Sequence, residues 1–237
     1  MTKRIWELDV LRGLWILLMF AIHIAYDLVI LFDVVDLRDP TLFNLSQEWG
    51  GLLFLVISGV CATLGSHPVR RGLQVLGCGA VISLVTAGMY FLGFAGRDII
   101  IYFGVLQCLG CCMLLWPLFR KGNPWILGIL GLILAILGRY LTNHVEVDFP
   151  WLIPFGVTSR NFASSDYFPL LPNFGYFLVG SWIGGTLYRT KTSLMPNVNP
   201  NNPLIRFFSF FGKHSLIIYM VHQPVFAGLI LLCLLIF

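Results

Sequence analysis

The sequence predicts an all-α integral membrane protein: a single domain over residues 1–237, built as one bundle of about seven transmembrane helices, N-terminus cytoplasmic and C-terminus exoplasmic. Three observations predict it. The 237 residues are 58% hydrophobic and only 11% charged, where soluble domains carry about 25% charged residues; the mean hydropathy is +0.85. Seven apolar segments approach the roughly 20 residues that a spanning helix needs: 9–31, 49–66, 72–93, 99–118, 124–142, 168–188 and 214–236. The loops divide ten basic residues (Lys3, Arg4, Arg70, Arg71, Arg120, Lys121, Arg189, Lys191, Arg206, Lys213) from four (Arg38, Arg97, Arg139, Arg160), with most acids on the second side. That split follows the positive-inside rule.

The elements justify themselves in order. Lys3 and Arg4 ahead of an apolar run look like a signal peptide, but no small-x-small cleavage site follows and Arg12 interrupts the run, so the first segment is a mature helix. The second is short, and Gly51 and Ser58-Gly59 suit close helix approach, as do Gly72, Gly77 and Gly79 on the third. On the fourth, Gln107 suits an interhelical hydrogen bond. Cys108, Cys111 and Cys112 have a metal-like spacing, but on an apolar helix they read as reduced packing residues, and no metal is expected. The fifth is a plain apolar span. The outer loop 143–166 carries Pro150, Trp151 and Pro154, which suit a return to the interface. Pro169 and Pro172 predict an irregular start to the sixth. The stretch MPNVNPNNP, 195–203, is a polar cytoplasmic loop, and Pro224 predicts a kink in the seventh.

The formal charge of +4 therefore reflects membrane orientation, and nothing suggests a nucleic-acid partner. The expected location is the plasma membrane, multi-pass, among lipids, with a homodimer open.

Four ionisable groups interrupt the first segment: Asp9, Arg12, His23 and Asp27. At about 3.6 residues per turn they share one helical stripe. Each charge near the centre of a membrane helix costs about 2.5–3.5 kcal/mol on insertion scales, so a retained stripe points to use. Asp9 and Arg12, at i and i+3, suit an ion pair or a donor-binding set. His23 and Asp27, at i and i+4, suit an imidazole oriented by a carboxylate, a general base; a structural hydrogen bond is the alternative. Arg12 lies about 16 Å along the axis from His23 at roughly 1.5 Å per residue, which fits a long ligand with an anionic head and a reactive tail, such as an acyl-CoA.

Near the C-terminus, Ser215, Tyr219 and His222 share a helical face with Gln223 one step round. Tyr219, His222 and Gln223 suit acceptor binding, orientation of a thioester carbonyl, or a packing cluster around the kink at Pro224. Lys213, with Ser215, suits the donor's phosphates or a solvated interface. Asp166 and Tyr167, ahead of the sixth segment, suit either a sugar-like acceptor or a helix N-cap with an aromatic anchor.

Arg12 and His23 form R-x10-H, which resembles the first-helix signature of the membrane acyltransferase-3 proteins. ELDVLRGL (7–14), LFLVISGV (53–60), YFGVLQCLG (102–110), DYFPLLPNFGYFLVG (166–180) and GKHSLIIYMVHQPV (212–225) resemble the bacterial DUF1624 proteins. Those proteins are relatives of the catalytic domain of heparan-α-glucosaminide N-acetyltransferase. The resemblance implies transfer of an acyl, most simply acetyl, group from cytosolic acyl-CoA to a hydroxyl or amine of a sugar-like or other exoplasmic or membrane acceptor. In the eukaryotic heparan enzymes the histidine proposed as catalytic follows the corresponding helix. This chain has no histidine between His23 and His67, so the base role falls to His23 through R-x10-H. The rival expectations are a proton-coupled small-molecule transporter, for which no internal repeat is visible, and a non-catalytic scaffold or sensor.

Overall fold

A computed structural model describes residues 4–32, 34 and 41–236, without the side chains of 30, 31, 41–48 and 234. Lys3 and Arg38, used in the charge argument, lie outside the described residues. Among the described residues every regular element is helical: α1 (Trp6–Tyr26), α2 (Thr41–Leu64), α3 (Pro68–Phe91), α4 (Val105–Phe119), α5 (Pro124–His144), α6 (Leu170–Leu187), α7 (Pro203–Lys213) and α8 (Ser215–Ile236). A π-helical turn, Asp27–Leu31, continues α1.

Each of the seven expected segments carries a helix. Among the described residues four stretches are long and apolar enough to cross a membrane: Trp6–Val29, Pro68–Phe91, Pro124–His144 and Ser215–Cys233. Trp49–Leu64 and Val105–Phe119 are apolar but shorter. α6 begins irregularly, as its prolines predict: Leu171 is extended (φ −99°, ψ 125°) because Pro172 disfavours helical backbone in the residue before it. The protein is an all-α membrane protein. The unexpected element is α7, which follows the polar 195–203 stretch and fills what the sequence left as loop.

Contacts group the chain into two compact units, Met1–Phe54 with Lys191–Phe237, and Leu55–Thr190. In the first, α7 packs antiparallel on the start of α1. A Cβ on Gly13 would collide with the Phe208 carbonyl, and one on Gly212 with the Asp9 carbonyl. Only glycine lets these backbones touch, the way membrane helices gain contact where lipid supplies no hydrophobic drive. The Trp15 indole N–H donates to the Gly50 carbonyl. Glu7, buried at the start of α1, accepts from the Leu194 N–H at 2.8 Å and the Ser193 hydroxyl at 3.0 Å, tying the segment before α7 to α1.

In the second unit the same device joins α5 to α6, where a Cβ on Gly175 would lie 2.5 Å from the Ala135 nitrogen. Gln107 forms the interhelical bonds expected of it: its Nε2 donates to the Gly79 carbonyl at 2.9 Å and Ser83 Oγ at 2.6 Å. Leu55, Cys108, Cys112, Phe177, Leu178 and Ser181 form the closed core.

Candidate functional site

The first unit gathers four polar side chains from α1, its π turn and α8. Asp27 is fully buried, and its Oδ1 accepts from Gln223 Nε2 at 2.6 Å. The His23 and His222 rings meet edge to face, centroids 4.7 Å apart and planes at 88°. His23 Nδ1 lies 2.9 Å from the Met19 carbonyl, and His222 Nδ1 2.6 Å from the Tyr219 carbonyl. Each Nδ1 therefore carries the proton and donates, which leaves each Nε2 lone pair free to accept. Phe20 and Phe226 pack against His222, as does Tyr219, centroid 5.1 Å away.

The expected imidazole–carboxylate pair is corrected here. His23 is oriented by the backbone carbonyl one turn before it, and Asp27 by an amide 196 positions along the chain. The second Asp27 oxygen, Oδ2, has no hydrogen-bond partner among the described residues; nor have Gln223 Oε1 and His222 Nε2, and all three atoms are buried. Gln223 Oε1 is an acceptor by chemistry, Asp27 Oδ2 is one while the carboxyl is ionised, and His222 Nε2 is one by its tautomer. Buried polar atoms are overwhelmingly paired in folded proteins, so three unfilled acceptors in one cluster describe a place for a group that donates.

The other end of α1 is its opposite. Asp9, 1% exposed, is gripped by two guanidinium groups: Arg4 Nε at 2.6 Å and Arg12 Nη2 at 2.5 Å. The expected Asp9–Arg12 ion pair is present, joined by Arg4. With Glu7 buried in the same first turns of α1, the two arginines stand against two carboxylates. α7 ends against Asp9, so Lys213, closing α7, and Ser215, opening α8, come to this end. Two buried groups here have no partner among the described residues: Arg12 Nε and the Ser209 hydroxyl. The structure thus places Asp9, Arg12, His23, Asp27, Lys213, Ser215, Tyr219, His222 and Gln223 in one unit.

Asp166 and Tyr167 belong to the other unit, where both side chains serve the fold. Asp166 Oδ2 accepts from the Val105 N–H at 3.1 Å, capping the start of α4. The Tyr167 hydroxyl donates to the Ile153 carbonyl at 2.7 Å, and burial pushes its pKa well above the usual phenol range. The cap is on α4 and not, as the sequence suggested, on α6, whose N-cap is Pro169 without a side-chain hydrogen bond. Among the described residues no three His, Cys, Asp or Glu side chains are grouped to hold a metal.

The model of the family described as heparan-alpha-glucosaminide N-acetyltransferase, catalytic, matches residues 4–224. The chain belongs to that family. Neither a curated protein nor a solved structure matches it. The match runs from Arg4 at the charged end of α1 to Pro224, one residue past Gln223, so both ends of the site lie within the N-acetyltransferase catalytic region.

Two features near these residues escaped the sequence reading. One is α7, although Asn202 accepting from the Leu204 N–H, with Pro203 in the first turn, is a readable helix start. The π turn at Asp27 has no local signal; such turns occur often at functional sites.

Proposed function

We propose that the chain is a transmembrane acyltransferase, moving an acetyl group from cytosolic acetyl-CoA to a hydroxyl or amine of a sugar-like acceptor in or beyond a bacterial inner membrane. The observation that carries the reading is the acceptor-only cluster of Asp27 Oδ2, Gln223 Oε1 and His222 Nε2. A thioester carbonyl brings no proton to such a cluster; a hydroxyl or amine does.

The chemistry then follows from the residues. The acceptor O–H or N–H donates to His23 Nε2, the free nitrogen of a ring whose Nδ1 is bonded to the Met19 carbonyl. As the acceptor oxygen or nitrogen bonds to the thioester carbon, His23 takes the proton. The C–S bond breaks, the coenzyme A thiolate leaves, and the imidazolium returns the proton to it. Gln223, fixed by Asp27, and His222 orient the acceptor.

Length supports the donor's place. Arg12 and His23 are separated by about 16 Å along α1 at roughly 1.5 Å per residue. A pantetheine arm of about thirteen bonds spans roughly 15 Å, by analogy with about 3.3–3.6 Å per three-bond unit of extended chain. A phosphate near Arg12 thus puts a thioester beside His23.

The test is the purified full chain in nanodiscs, given acetyl-CoA and amino-sugar or polyol acceptors. The expected result is acceptor-dependent release of coenzyme A thiol that His23→Ala abolishes. Undiminished release from a folded His23→Ala protein removes His23 from its role.

A further inference from the structure

The second unit holds a cleft that the proposed chemistry does not use. Helices α3 and α4 run antiparallel: a Cβ on Gly79 would meet Gln107, and one on Gly72 the Gly110 carbonyl and Leu114. The start of α3 therefore stands beside the end of α4. Beyond Gly72 a cleft of about 650 Å³ opens there. Its polar side is cationic. Arg70 and Arg120 line it with His67, and no acidic residue does. Neither arginine has a hydrogen bond or ion pair among the described residues, whereas Arg4 and Arg12 are held by Asp9 and Arg160 by Glu146. The acids of this unit, Asp98, Glu146, Asp148 and Asp166, lie in the segments that follow α3 and α5, at the other ends of those helices.

Two further features complete the cleft. The first bond of α3 runs from the Arg71 N–H to the His67 carbonyl at 3.2 Å, and His67, the cap residue, makes no side-chain bond to the helix. The Val69 and Arg70 amides before it are open donors at the positive end of a 24-residue helix. The walls are apolar. Val69, Leu73 and Pro117 line the cleft, and the exposed row of Val69 and Leu73 continues along α3 through Gly77, Val81 and Val85. Nothing lies within 4 Å of a Cβ at Gly77. At about 1.5 Å per residue the row runs about 24 Å, more than the roughly 15 Å depth of one hydrocarbon leaflet. A charged mouth leading onto a long apolar row matches a molecule with an anionic head and a hydrocarbon tail. A soluble phosphate would leave the row unused.

We propose that this cleft is a binding site for an anionic phospholipid. Arg70, Arg120 and the open amides of α3 hold the headgroup phosphate, and an acyl chain lies along the apolar row. The site stands independently of the acyltransferase reading. By the positive-inside rule this end of the unit faces the cytoplasm, where anionic lipids gather basic pockets between helices.

The experiment is native mass spectrometry of the full chain in detergent, incubated with equal amounts of phosphatidylglycerol and phosphatidylcholine. The natural protein is expected to retain phosphatidylglycerol in preference to phosphatidylcholine. The double variant Arg70→Gln/Arg120→Gln should weaken that retention by about tenfold or more, the size of two arginine contacts at a membrane surface. Both side chains are exposed and unpaired among the described residues, so the fold loses no hydrogen bond. Arg160→Gln, at the other end of the unit, should retain the lipid as the natural protein does. Equal retention of both lipids by the natural protein, undiminished retention by the double variant, or an equal loss in Arg160→Gln overturns the site. Displacement of the lipid by glycerol 3-phosphate at a comparable concentration overturns the lipid assignment in favour of a soluble phosphate, and displacement by acetyl-CoA overturns it in favour of the acyl donor.

Discussion

Gln223 and Asp27 are joined by a 2.6 Å hydrogen bond between α8 and the π turn that follows α1. The amide nitrogen satisfies one carboxylate oxygen and leaves the amide oxygen and the second carboxylate oxygen turned to the same cluster. One contact therefore both anchors α8 to α1 and sets out two of the acceptors that a substrate would meet.

Breaking that contact should affect stability and activity together. Gln223→Leu leaves a buried carboxyl without its donor, and the expected cost is about 1–3 kcal/mol. Asp27→Asn keeps an oxygen for the Gln223 N–H and should retain most of the stability while losing activity. Thermal unfolding in detergent, beside coenzyme A release, separates the two effects.

His23 and His222 should separate in kinetics. A positioned general base contributes about 10²–10⁴-fold, so His23→Gln is expected to lower kcat by at least a hundredfold at unchanged acetyl-CoA affinity. His222→Gln, which removes an orienting acceptor, should raise the acceptor KM more than it lowers kcat. Steady-state kinetics in both substrates checks the split.

The α1–α7 seam should reject a single methyl group. Gly212→Ala drives its Cβ into the Asp9 carbonyl, and the expected loss is about 1–3 kcal/mol, as for other overpacked sites. Gly77→Ala on α3, where a Cβ has nothing within 4 Å, should gain up to about 1 kcal/mol from helix propensity. The two melting temperatures should move in opposite directions.

Asp166 should behave as a cap. Asp166→Ala removes the acceptor for the Val105 N–H and is expected to cost about 1 kcal/mol, with the acceptor KM unchanged. Asp166→Asn, which keeps an acceptor oxygen, should recover most of the loss. A changed acceptor KM with unchanged stability would return Asp166 to the substrate.

What was legible in the sequence is what depends on local composition. Long apolar runs announce α1, α3, α5 and α8, and the polar stripe of α1 marks Asp9, Arg12, His23 and Asp27 before any fold is known. Helix α7 was hidden because eleven residues rich in phenylalanine, with Arg206 and Lys213 among them, are too short to span and too charged to count as core. The pairing of Asp27 was hidden for another reason. Spacing of i and i+4 shows which neighbours can meet, but His23 had a backbone carbonyl one turn back, and the donor for Asp27 stood 196 positions away. No local pattern encodes that choice.

The order of synthesis gives this pairing a further meaning. Asp27 leaves the ribosome nearly two hundred residues before Gln223, so the nascent first span is threaded into lipid with a carboxyl group whose amide does not yet exist. Chains halted before α8 should stay poorly retained in the bilayer and prone to degradation, and the arrival of α8 turns a liability of biogenesis into a buried contact.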